Sequence, residues 1–244
     1  MNARNITVIE LMLTAVLLMV AAVGPTIFPA AQAGYAKMSI LAQYFLLPSL
    51  AILIIIMVAG KASGESGFVN TVIAGIVSGI LATLALEVVR EVGFTLGFMP
   101  GSLPKLLGVL ITDRFLEGPS LYSNLAGWAY HFWNGASFGM VYALIFGKTR
   151  WWYATIYGAV IGVVFMISPS VTALGIGYFG LQFGWGFPIT VTVAHLAFGT
   201  ALGLILNKGF NLEEPSLFDR LIKYSTHTPT EIKSIRGSVS EKQI

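Results

Sequence analysis

Six long apolar stretches constrain this chain more than anything else in it: Ile6–Gly24, Ser39–Gly60, Phe68–Arg90, Tyr122–Gly147, Trp152–Gly175 and Trp185–Leu206. About 20 mostly apolar residues are what a helix needs to cross a bilayer. Each stretch is too long for a strand and lacks the alternation of a membrane barrel. Hydrocarbon offers the backbone no hydrogen-bonding partner, so all six are expected to be helices. The rest of the composition agrees. Only 10% of the 244 residues are charged and 56% are hydrophobic, whereas an average soluble domain carries about 25% charge. That excludes a soluble enzyme, a nucleic-acid binder and a disordered regulator. The formal net charge of +3 is too small to point to an anionic polymer as partner, and the lack of Cys removes disulfides, thiolate metal sites and cysteine nucleophiles.

The first stretch also imitates a secretory signal, with Arg4 ahead of a short apolar run and Ala31-Gln32-Ala33 resembling a cleavage site. Glu10 at the start of the run favours an uncleaved helix, its carboxylate snorkelling to the inner interface. Lys and Arg set the orientation. With the N-terminus inside, Arg4, Lys61, Lys148, Arg150, Lys208 and the tail cations lie in the cytoplasm, against Lys37, Arg90, Lys105 and Arg114 outside. Both termini are therefore expected in the cytoplasm of a multi-pass inner-membrane protein. Residues 1–66 hold two N-terminal spans, residues 67–207 a four-helix core, and residues 208–244 a cytoplasmic tail. Within the core, Ser102 is expected to cap a short helix through Ile111, with Pro104 in its first turn, lying in the outer interface or re-entering partway. In the tail, residues 216–223 read as an amphipathic inner-surface helix, and the Ser/Thr-rich stretch to Ile244 as disordered.

The most specific pattern is internal. Span four carries His131-Phe-Trp-Asn-Gly135-Ala-Ser-Phe-Gly139 and span six His195-Leu-Ala-Phe-Gly199-Thr-Ala-Leu-Gly203, and both read H-x3-G-x3-G. Each follows a span with its own G-x3-G, Gly75 and Gly79 in one, Gly158 and Gly162 in the other. Two-helix units repeated in one orientation imply a pseudo-twofold axis along the membrane normal. Residues four apart share a helix face, so each histidine and its two glycines form one stripe. Counted from the outer ends, both imidazoles lie about 14 Å deep. Ionisable rings at such depth invite a functional reading. A neutral histidine also serves as an ordinary hydrogen-bonding residue in a bundle, and small residues let helices approach closely.

Few other polar side chains fall within the spans. Glu87 and Arg90, three apart at the end of span three, are placed to pair with each other. Asn134, one turn from His131, either orients that ring or bonds a neighbouring helix. Pro169, in Ser168-Pro169-Ser170, is expected to kink span five. Gly175-Ile-Gly177-Tyr-Phe-Gly180 matches a dinucleotide fingerprint in letters only, because it joins two membrane helices and follows no strand. No zinc-protease motif, nucleophile elbow or phosphate loop is present, and His227 lies far out in the tail, so a three-histidine metal site is excluded.

Several runs together resemble a family. Gly75, Gly79, Ala82-Thr83, Gly97-Phe98-Met99-Pro100, Leu103-Pro104 and Leu107-Gly108 form one half of the likeness. Gly127-Trp128, His131-Phe132, Gly135, Gly139, Tyr142-Ala143, Pro169, Ala194-His195, Gly199 and Leu202-Gly203 form the other. Over about residues 67–207 the chain resembles the uncharacterised inner-membrane proteins related to YagU. The resemblance implies a polytopic membrane fold and carries no catalytic residues.

The sequence thus describes an all-α integral membrane protein with six transmembrane helices, a four-helix core from a two-helix parallel repeat, and short interfacial helices. Three function classes follow. The first, which the sequence favours, is a non-catalytic accessory or structural subunit, packed against other membrane subunits or a second copy through its glycine faces. The second is a haem-b electron-transfer subunit ligated by His131 and His195, since a bis-histidine site needs one imidazole from each of two helices. The third is a small transporter or channel with a midplane polar site near the histidines, Asn134, Glu87 and Arg90. Enzymatic turnover is not expected, because nothing pairs a nucleophile with a base.

Overall fold

The computed structural model describes residues 8–212 and 216–218. The expected tail helix, the stretch to Ile244, His227 and the Glu10 side chain lie outside what it describes. Among the described residues the chain is all helical, with no strand. The helices are α1 (Val8–Gln32), α2 (Met38–Leu41), a π-turn (Ala42–Leu46), α3 (Leu47–Ala62), α4 (Ser66–Thr95), α5 (Leu103–Ile111), α6 (Leu121–Ile145), α7 (Trp151–Ile167), α8 (Pro169–Thr172) and α9 (Gly186–Gly209). Four helical stretches are long and apolar enough to cross a membrane: Met12–Gln32, Met38–Ala62, Ser66–Thr95 and Gly186–Gly209. α7 is a shorter apolar helix. These are the elements of a membrane protein, and their outward faces agree, because Ile52, Ile54, Ile55 and Val58 of α3 and Val163 and Val164 of α7 are all exposed.

Several elements depart from the sequence reading, each for a local reason. α1 does not stop at Gly24 but runs on through Pro25 and Pro29, so Ala31 and Gln32 form the end of a packed helix. Tyr130 on α6 ties this part of α1 down by donating to the Gly24 carbonyl at 2.6 Å. Span five is not one kinked helix. Ser168 turns extended (ψ 165°) and its hydroxyl accepts the Ser170 N–H, so α7 ends there and Pro169 starts the separate α8. α5 forms where expected, but Ser102 makes no side-chain cap bond. α6 has the better start, a reciprocal box in which Ser120 and Ser123 each bond the other's backbone N–H. In the loop before α9 all three glycines of Gly175, Gly177 and Gly180 have positive φ, which is what the pattern serves there.

α4 is the central helix, with α6 packed on one side and α9 on the other. α7 lies against α9, and α1 and α5 lie against α6. The row therefore runs α7, α9, α4, α6, and α1 completes it from the α6 end. α8 touches α1, but α1 and α7 do not form a packed pair along their lengths. The space between them is a cavity.

Candidate functional site

Glycine contacts fix how deep each polar side chain lies. α4 and α6 meet backbone to backbone: a Cβ added at Gly75 would fall 2.8 Å from the Gly139 carbonyl oxygen, and one at Gly79 would strike the Gly135 carbonyl. Such approach needs residues without side chains. In the second pair, Gly158 abuts Gly199 and the His195 carbonyl, while Gly162 lies under the His195 ring, where an added Cβ would fall 3.0 Å from Cγ. Gly203 sits over Trp151 and Ala154. The two pairs are therefore packed about one turn out of step. In the first, glycine meets glycine and His131 lies a turn beyond. In the second, Gly158 meets Gly199 but Gly162 meets His195.

That offset gives the two rings different partners. His131 Nε2 lies 2.8 Å from Glu87 Oε1, and Arg90 Nη1 lies 2.6 Å from the same oxygen. A carboxylate oxygen only accepts, so Nε2 of His131 carries the hydrogen. The pair expected within α4 is thus a cluster of three across two helices, with every member largely buried. His195 instead turns back on its own helix, Nδ1 bonding the Val191 carbonyl at 2.8 Å, with Phe165 stacked on its ring. A carbonyl also only accepts, so Nδ1 holds the hydrogen and the bare lone pair is on Nε2.

His195 lies at the depth of the Glu87 cluster. Gly93 of α4 packs on Thr190 of α9. The helices run antiparallel, so five residues onward from Thr190 is His195, and five back from Gly93 is Val88, next to Glu87. Asn134 does not orient His131. Its Oδ1 is buried beside Gly24 of α1 with no hydrogen-bond partner among the described residues. The Trp133 Nε1 beside it is likewise unpaired.

Arg90, His131, Asn134 and His195 all face one cavity of about 610 Å³, set between α1, α4, α6, α7 and α9. That is within the size range of small-molecule sites, about 300–1,000 Å³. Its walls are otherwise mostly apolar, with Leu86, Phe138, Ile161 and Phe198 among them. Hydroxyls in the wall are satisfied internally: Thr83 donates to Gly79, Thr26 to Ala22, and Tyr157 to Phe138. Four lining residues are exposed, Ala22 and Thr26 on α1 and Val160 and Val164 on α7. They rim an opening where those two helices fail to pack.

One contact escaped the sequence reading. Gly108 of α5 and Gly127 of α6 lie against each other, with Gly127 also under the Pro104 carbonyl. This draws α5 onto α6, where Leu103 and Leu107 form part of the cavity wall. A lone glycine in each of two segments has no period to betray it.

A bis-histidine haem needs both imidazoles turned to one iron. His131 gives Nε2 to Glu87, so the residues as arranged do not fit that ligand set. No protein-family model matches the chain, and neither curated proteins nor solved structures show a match. The functional reading therefore rests on the geometry.

Proposed function

We propose that this is a non-enzymatic membrane protein that holds a small molecule in the cavity between α1 and α7, as a carrier or transporter does. One observation carries the reading: four polar side chains from three helices converge on one largely apolar cavity of small-molecule size. Buried polar groups in hydrocarbon are costly unless they serve packing or a ligand. The Glu87 cluster satisfies itself in part, whereas Asn134 Oδ1 has no protein partner among the described residues. The accessory-subunit reading relied on glycine faces free to take a partner. The paired glycines of α4, α6, α7 and α9 are instead taken up by neighbouring helices of the same chain.

We further read α6 and α7 as spans, giving six in all with both termini cytoplasmic in an inner membrane. α4 with α6 and α7 with α9 are then two units of a parallel repeat. The likeness to YagU-related proteins fits this arrangement and adds no role for any residue. Native mass spectrometry on the full chain extracted in mild detergent tests the cavity. A retained small molecule is expected on the wild type and absent from Ile161→Trp, which fills the space. Equal retention by both, with the variant melting like wild type, would place the molecule elsewhere.

A further inference from the structure

The cavity's unclaimed hydrogen-bonding atoms describe the head of a ligand. Arg90 uses Nη1 on Glu87. Its Nε–H and the adjoining Nη2–H have no partner among the described residues, and together they form the edge that grips a carboxylate with two parallel bonds. His195 offers the opposite function, an unprotonated Nε2, because its Nδ1–H is committed to Val191. Arg90, His131 and this ring line the same cavity.

Charge balance narrows the class. Glu87 already neutralises Arg90, so an anion arriving alone would leave a net negative charge in a low-dielectric interior. An acid arriving with its one proton leaves none. The O–H bond of the acid breaks, the proton passes to His195 Nε2, and the carboxylate rests between the imidazolium and the Arg90 edge. A phosphate monoester would bring a second charge with no group to balance it. Size and access agree, since the apolar remainder suits one hydrocarbon chain, and the cavity opens sideways at Ala22, Thr26, Val160 and Val164, where lipid would lie. We propose that the cavity takes up a long-chain carboxylic acid from the bilayer through the gap between α1 and α7, holding its carboxylate on Arg90 and its proton on His195. This rests on the small-molecule reading above and adds the ligand class.

The test uses the full chain in phosphatidylcholine nanodiscs with radiolabelled hexadecanoic acid, its methyl ester serving as the control. One acid should bind per chain, saturably, at least ten-fold tighter than the ester. Arg90→Lys keeps the charge opposite Glu87 but loses the fork, and should weaken the acid ten-fold while leaving the ester unchanged. His195→Asn keeps a donor toward Val191 and deletes Nε2. At a pH where the unbound acid is a carboxylate, so that its proton must come from the buffer, calorimetry in phosphate and Tris should then show one proton taken up per acid by wild type and none by this variant. The ionisable groups around His195 are Glu87 and Arg90 on α4, His131 on α6 and Tyr157 on α7, so retained uptake in His195→Asn would transfer the proton to one of them and overturn its assignment. Equal binding of acid and ester overturns the ligand class. If neither binds while a molecule is retained in the mass spectrum, the class fails and the cavity reading stands. If no molecule is retained either, both fall.

Discussion

Glu87 Oε1 receives two donors, one from its own helix and one from α6, and this decides what happens when it is changed. Glu87→Gln leaves Arg90 without a counter-charge in the bundle. Breaking a buried pair from one side costs about 3–5 kcal/mol, so the variant's melting temperature in detergent should drop sharply. Glu87→Gln combined with Arg90→Gln removes both charges and should melt above the single variant. A double variant melting below it would show that Arg90 is held by something other than Glu87. Asn134 should behave oppositely. With its Oδ1 unpaired among the described residues, Asn134→Leu removes an unsatisfied polar group that costs about 1–3 kcal/mol, and the purified variant should melt at or above wild type. The α4 half of the cluster was legible in the sequence because three-residue spacing on a helix is a local fact. The His131 contact was not, because Glu87 lies 44 residues away in sequence and only the Gly79–Gly135 approach brings the two together.

Helix pairs carry the next level of order, and their contacts can be read off by what a methyl group would strike. Gly79→Ala drives a Cβ into the Gly135 carbonyl, while the space around Gly101 is open. Overpacking a tight contact costs about 1–3 kcal/mol, and more where backbone meets backbone. Gly79→Ala and Gly127→Ala should therefore lower the melting temperature of the purified protein, and Gly101→Ala should leave it within error. Similar losses from all three would mean that helix propensity, and not close approach, governs these sites. The long helices were legible at this scale because hydrophobic length alone specifies them. Their ends were less so. The α7 break depends on Ser168 capping α8, and the extension of α1 past Gly24 depends on Tyr130 reaching it from another helix. The one-turn offset between the two glycine pairs left no trace in the repeat, whose letters match while their packing partners differ.

At the scale of the whole molecule, the row α7, α9, α4, α6 with α1 closing its end turns a set of helices into a container with a side opening. The proposed six spans with both termini inside would put Lys61, Lys148 and Lys208 in the cytoplasm and Lys105 outside. Reporter fusions after the first three should read cytoplasmic, and one after Lys105 external. An external reading at Lys148 would remove α6 or α7 from the spans. The opening's two jaws are built differently. α7 is fastened to α9 through Gly158, Gly162 and the residues facing Gly199 and Gly203. α1 carries Pro25 and Pro29 in its interior, and a proline ring has no N–H to return to the carbonyl four residues back. The bonds that would brace the helix at Ala21 and Pro25 are missing beside the rim. α1 is thus a strut with an unbraced middle facing a clamped one. Its stiffness resides in two proline positions that line the wall without contributing a polar atom from their side chains. Pro25→Ala and Pro29→Ala restore the bracing, and should slow the exchange of whatever occupies the cavity.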